Sequence, residues 1–136
     1  MRRRAPGSPE TTTDGRGARG LRAEAIAAEH LAAAGLVLLA ARYRTRAGEL
    51  DLVMRDAREL VFVEVRSRGP RSAVDPVETV TARKRQRLAR TAEAYLAAHP
   101  RDRSRPARFD VVGVAGDLAR PEVTWIRRAF TLDDLQ

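Results

Sequence analysis

The 136-residue chain contains no cysteine, so no disulfide and no thiolate metal site can form. Histidine is almost as scarce: His30 and His99 are the only two, far apart in sequence. Any metal site would therefore be built from oxygen donors, which favours Mg²⁺ or Mn²⁺ over Zn²⁺. Long apolar runs are missing too. The longest, from Leu31 to Ala41, falls well short of the ~20 residues that span a bilayer. Behind the basic start Met1-Arg2-Arg3-Arg4 there is no apolar segment of the kind a secretory signal carries. These absences predict a cytoplasmic chain without a membrane partner. Lysine is nearly absent as well, because Lys84 is the single one among 26 basic residues.

What is present is an ordinary globular composition, 43% hydrophobic and 32% charged, in a chain long enough for one cored domain. The net charge of +8 suggests a polyanionic partner such as nucleic acid. So strong a bias toward arginine can also come from coding composition. Residues 1–18 mix Pro, Gly, Thr and Arg without periodicity and read as a disordered basic tail, leaving 19–136 as the folded domain.

The order of elements follows from periodicity and punctuation. A helix is expected from about Ala18 to Ala34, stopped by Gly35, with Glu24 on the edge of its apolar face. Leu36 to Arg44 reads as a buried first strand. Gly48-Glu49-Leu50-Asp51-Leu52 and Phe62-Val63-Glu64-Val65-Arg66 both alternate across a short polar link and read as a hairpin. Asp75-Pro76-Val77-Glu78 is a helix start, with an N-cap Asp, Pro at the first position and a capping-box Glu. That helix either runs on to about Ala98 or breaks and restarts at Thr81. Two further strands, Phe109 to Val114 and Val123 to Ile126, and a short turn over Thr131 to Gln136 complete the chain. The result is an α/β fold of order α-β-β-β-α-β-β, a mixed sheet with helices against it and one parallel crossover.

The hairpin carries the chemistry. Paired positions sum to 115 for a two- or four-residue loop, so Asp51 opposes Glu64 and Glu49 opposes Arg66. Opposed side chains on one face have Cβ atoms about 4.5–5.5 Å apart. Two carboxylates so placed repel, and a cation, a raised pKa or open solvent must compensate. Alternation puts Glu49 and Asp51 on one face with Leu50, Leu52 and Met54 behind. On the partner strand, Glu64 and Arg66 share a face with Phe62, and Val61, Val63 and Val65 pack behind. An acidic front on an apolar back suits a metal platform; it also describes any half-exposed hairpin with a modest Glu49–Arg66 ion pair. Lys84 lies on the sheet-facing stripe of its helix with Val77, Val80, Leu88 and Tyr95. Arg83, Arg85, Arg87 and Arg90 point elsewhere, toward solvent or a phosphate backbone. The loop from Arg101 to Arg108, with Arg103 and Arg105, adds a second basic patch.

Taken together, these segments resemble the YraN-like family of small bacterial proteins, which look like PD-(D/E)XK nucleases related to archaeal Holliday-junction resolvases. The resemblance runs from about Gly17 to Phe130. It includes Glu24-Ala25-Ile26-Ala27, the two hairpin segments, Lys84, Arg108-Phe109-Asp110-Val111-Val112 and Ala129-Phe130. It implies a restriction-endonuclease-like core and a DNA endonuclease dependent on Mg²⁺ or Mn²⁺. Asp51 and Glu64 would be metal ligands, the Val65 carbonyl a further ligand, and Glu24 a helix-borne acid near the metal. Asp51, Glu64, Arg66 and Lys84 would form the catalytic set. Resolvase-like relatives are dimers, so a homodimer is implied, although nothing in these residues marks a dimer face. Two departures stand out: Ala23 replaces a usual Gly, and Arg66 stands where the nuclease signature has Lys. Lysine can lose its proton and help activate water, whereas arginine stays charged and would act on a pentavalent phosphate only electrostatically. The arginine bias of the chain points to drift at position 66, with Lys84 able to supply the missing amine. The alternative function is a nucleic-acid-binding module that keeps the fold without cleaving.

Overall fold

The computed structural model describes residues 17–68 and 76–130. The expected tail over residues 1–16, the N-cap Asp75 and the expected turn over 131–136 lie outside the described residues. An alanine-rich stretch, favourable to helix because alanine loses little entropy on ordering, forms α1 over Ala18–Ala33. Gly35, at φ 103°, ends it in the left-handed conformation. Its N–H bonds the Ala32 carbonyl and that of Leu36 bonds the Leu31 carbonyl, the pair of bonds of a Schellman cap. Leu31 and Leu36 are buried in one cluster beneath this cap.

Five strands follow: β1 (Val37–Thr45), β2 (Gly48–Asp56), β3 (Glu59–Arg68), and, after α2 (Ala82–Ala98), β4 (Ala107–Ala115) and β5 (Glu122–Phe130). They form one mixed sheet in the order β1-β2-β3-β4-β5. Only β3 and β4 run parallel, joined across α2, and the other neighbours are antiparallel. This is the α/β architecture and element order expected of a restriction-endonuclease-like core. Among the described residues no helix is long and apolar enough to cross a membrane.

Each face of the sheet is covered by one helix. α1 packs on Leu52, Met54, Val61, Val63, Val112 and Val114. Leu88, Ala92 and Tyr95 of α2 pack on Val53, Leu60, Phe62, Phe109 and Val111, and Phe130 stacks on Phe109 with ring centroids 4.8 Å apart.

Two expectations about the strands need correction. The first strand is not buried: β1 is an edge, and Val37, Leu38 and Leu39 are 45%, 47% and 37% exposed. Strict alternation along β2 also fails. Leu50 belongs to the α2 core while Leu52 and Met54 belong to the α1 core, so the face changes across Asp51. The helix start at Pro76 makes a 3-10 turn, Pro76–Thr79. The chain breaks at Val80, and Thr81 caps α2 by accepting a hydrogen bond from the Lys84 N–H at 3.2 Å. This is the second of the two courses open to that segment.

At one end of the sheet a buried ionic network ties β2, β3, β4 and β5 together. Arg108, 4% exposed, bonds Asp110 bidentately at 2.9 and 3.1 Å, Glu59 at 2.8 Å and Asp56 at 3.3 Å. Asp110 also accepts from Trp125 Nε1 at 2.8 Å and the Arg128 N–H at 3.0 Å, which fills its lone pairs. Burial alone would lower the Arg108 pKa, but the bonds to Asp110 and Glu59 outweigh it and raise it.

A candidate metal and phosphate cleft

The hairpin register is the expected one. Asp56 pairs with Glu59 around the two-residue turn Ala57-Arg58, and the ladder continues to Leu52 and Val63. One step further the same register sets Asp51 opposite Glu64. There the ladder gives way, because Asp51 Oδ2 accepts the Val65 N–H at 2.8 Å. Neither carboxylate lies on a solvated face: Asp51 is 3% and Glu64 5% exposed. Val61, Val63 and Val65 do pack toward α1, leaving Glu64 and Arg66 under the start of α2.

Both carboxylates line an open cleft of about 410 Å³ between the first turns of the two helices. Gly17, Arg19 and Gly20 of α1 form one wall; Val65, Arg66 and Ser67 of β3 and Lys84 of α2 complete it. Arg19 staples that end of α1 to the sheet by donating to the carbonyls of Arg68 and Gly116. Nothing in the sequence singled out Arg19, which begins a helix next to a tail without pattern.

Two cations converge on one oxygen. Lys84 Nζ lies 3.1 Å and an Arg66 terminal nitrogen 3.2 Å from Glu64 Oε2. Even so, the Glu64 carboxyl is pushed from 4.5 up to about 7, first by burial and next by the Asp51 charge, with Lys84 and Arg66 pulling the other way. The single lysine thus reaches the carboxylate pair, as its stripe predicted. Arg66 does not pair with Glu49, which instead meets Arg44 of β1 at 3.2 Å. Its Nε donates to Thr79 Oγ1 at 2.9 Å.

Glu24 is buried on α1 and pairs with Arg42 at 3.4 Å; it is not among the residues lining the cleft. Arg42 reaches it from a strand position held at φ 49°, a conformation that pattern alone does not reveal. Arg83 and Arg87 are exposed on α2 near Lys84. Arg85 is not a solvent-facing residue: its Nε donates to the Val80 carbonyl at 3.1 Å and its guanidinium lies 5.0 Å from the Phe130 ring centre. Arg105 bonds Asp102 at 3.0 Å and the Arg58 carbonyl at 3.3 Å, at the hairpin-turn end of the sheet. Arg103 borders a groove with Glu93 and Leu96 near the end of α2. From Glu59 to Glu64 and Arg66 is five to seven residues of strand, roughly 20 Å at ~3.3 Å each, so the basic loop is remote from the cleft.

Among the described residues no three His, Asp or Glu side chains gather into a metal-holding group. The pair Asp51 and Glu64, with Val65 lining the same cleft, offers hard oxygen donors. Such a set fits a Mg²⁺-like ion, which typically takes one or two carboxylates and completes its shell with water and substrate phosphate. Burial contributes most to the raised Glu64 carboxyl and the Asp51 charge contributes next; a divalent cation held by both carboxylates would relieve that second part.

Residues 23–114 match the family described as Uncharacterised protein family UPF0102. The chain is 48% identical over 116 residues to a UPF0102 protein of Xanthomonas campestris pv. campestris, covering 85% of this chain and 93% of the relative. A UPF0102 protein of Stutzerimonas stutzeri is 44% identical over 111 residues (82% and 92%), and one of Halorhodospira halophila 46% over 123 residues (90% and 95%). These matches bear out the YraN-like resemblance of the hairpin motifs, and the chain belongs to family UPF0102.

Proposed function

We propose that this protein is a metal-dependent DNA endonuclease of the PD-(D/E)XK type, hydrolysing phosphodiester bonds in DNA, including branched or processed forms. One observation carries the reading: Asp51 and Glu64 are buried together at the floor of an open cleft, with Lys84 and Arg66 on the same Glu64 oxygen. A carboxylate pair so expensive to hold is a feature of sites that use it.

Asp51, Glu64 and the Val65 carbonyl would hold Mg²⁺ or Mn²⁺. The ion, when bound, would supply an activated water and neutralise charge on the phosphate. The remaining work falls to the chain's own cations. Lys84, with an ammonium that can exchange a proton, would orient the attacking water and assist its deprotonation. Arg66 stays charged and would stabilise the extra negative charge of the pentavalent phosphate. Arg83 and Arg87, exposed beside Lys84, would hold flanking phosphates.

A second reading has its own observation. Two cations already contact Glu64, and the signature lysine position is Arg66, which suits a module that binds DNA without cutting it. Cleavage assays with Mg²⁺ and Mn²⁺ on duplex, single-stranded and four-way-junction DNA decide between them. Metal-dependent cleavage by the wild type that Asp51→Asn abolishes is the expected result. Binding without cleavage of every form would favour the module.

A further inference from the structure

Arg66 is held by a device that begins on the neighbouring strand. In the parallel pairing of β3 and β4, Arg66 lies beside Gly113. A Cβ built on Gly113 would overlap the Pro76 ring, coming within 3.0 Å of its Cβ and closer still to Cγ. The missing side chain is therefore a notch that seats Pro76. Glycine inside a run of valines is the one sequence sign of such a close approach. Pro76 opens the 3-10 turn Pro76–Thr79, and the Thr79 hydroxyl closes it by donating to the Pro76 carbonyl at 2.6 Å. With its hydrogen committed there, Thr79 Oγ1 is left as an acceptor and takes the Arg66 Nε–H at 2.9 Å. The same guanidinium then delivers a terminal nitrogen to Glu64 Oε2 at 3.2 Å.

We propose that Thr79, presented by a turn seated in the Gly113 notch, is the positioning residue that fixes the Arg66 guanidinium against Glu64. Two partners on different sides are served by two nitrogens of one rigid planar group. A lysine ammonium is a single point and cannot occupy both positions. Arginine at position 66 is thus fitted to Thr79 rather than a product of drift. Lys84 remains as the cation able to exchange a proton. The positioning stands on contacts within the chain; only its catalytic consequence rests on the nuclease reading.

Side-chain ¹⁵N NMR on the metal-free protein tests it, with the Arg66 Nε–H signal assigned as the one missing from Arg66→Lys. That proton exchanges slowly with solvent in wild type and in Thr79→Ser, which keeps the hydroxyl. Thr79→Val, and Gly113→Ala by displacing Pro76, speed exchange by about tenfold or more, the scale of a hydrogen bond to a charged group. Equal protection in wild type and Thr79→Val, both folded, overturns the proposal; so does failure of Thr79→Ser to restore protection. Cleavage assays form the second arm. Thr79→Val lowers kcat about tenfold with little change in KM, Thr79→Ser recovers it, and Arg66→Lys cuts no faster than wild type. Faster cleavage by Arg66→Lys overturns the fitted-arginine account. A wild type that never cleaves removes the nuclease reading alone, and proton exchange still decides the clamp.

Discussion

Replacing Glu64 with glutamine should stabilise the metal-free protein, and by an amount that depends on pH. The Glu64 carboxyl titrates near 4.5 when unperturbed and at about 7 in the fold, because burial and then Asp51 disfavour its charge. A folded pKa above the unfolded one means the native state holds the proton more tightly. The stability this confers is full below pH ~4.5 and is lost as pH rises through ~7. At ~1.4 kcal/mol per pH unit, the gap between the two values amounts to about 3 kcal/mol. Glutamine is a neutral isostere and pays no such cost. Urea unfolding of wild type and Glu64→Gln, with chelator, at intervals from about pH 4.5 to about pH 8 isolates the effect, since groups remote from Glu64 titrate alike in both. The two stabilities should nearly coincide at the acid end. They should then diverge until Glu64→Gln is ahead by about 3 kcal/mol, with m unchanged. Parallel curves would refute the buried, repelled carboxylate, and a variant less stable at every pH would make Glu64 a structural ion-pair member instead.

Breaking the Arg108 network should be costly. Arg108→Met leaves Asp110, with no exposed surface, as a buried charge without its guanidinium, and a loss of about 3–5 kcal/mol in unfolding free energy is expected. On nucleic acid, each phosphate contact contributes about −0.9 to the slope of log K against log salt. Replacing exposed Arg83 and Arg87 together should flatten that slope by roughly 1–2 units, whereas Arg103 and Arg105, at the far end of the sheet, should change it little. An unaltered slope for the first pair would place the DNA on another surface. Lys84→Ala should abolish cleavage while leaving the fold intact; retained cleavage would remove Lys84 from the mechanism.

How far the sequence could be read depends on whether the deciding contact is local. The hairpin register was legible because turn length fixes which residues oppose, and the ladder keeps that register from Asp56 and Glu59 to Leu52 and Val63, one step short of Asp51 and Glu64. Gly35 announced its helix end, since a left-handed residue after an apolar helix has few other uses. Lys84 was legible from its stripe. Neighbour order within a sheet is not encoded in periodicity, so nothing marked β1 as an edge. The change of face across Asp51, which sends Leu50 to one core and Leu52 to the other, departs from the period of two that the reading assumed. Arg85 looked free for phosphate because its partners, the Val80 carbonyl and Phe130, meet it only in three dimensions. The same holds for Arg66, whose bond to Thr79 spans 13 residues and crosses to a separate turn.

The proposed endonuclease activity requires Asp51 and Glu64 to share one divalent metal in the cleft. Titrating Mn²⁺ into wild type and Asp51→Asn, with free Mn²⁺ followed by electron paramagnetic resonance, tests it most directly. Wild type should bind one ion, and Asp51→Asn, folded to the same far-ultraviolet circular dichroism spectrum, should bind none at the same concentrations. Equal binding by both proteins would contradict the account.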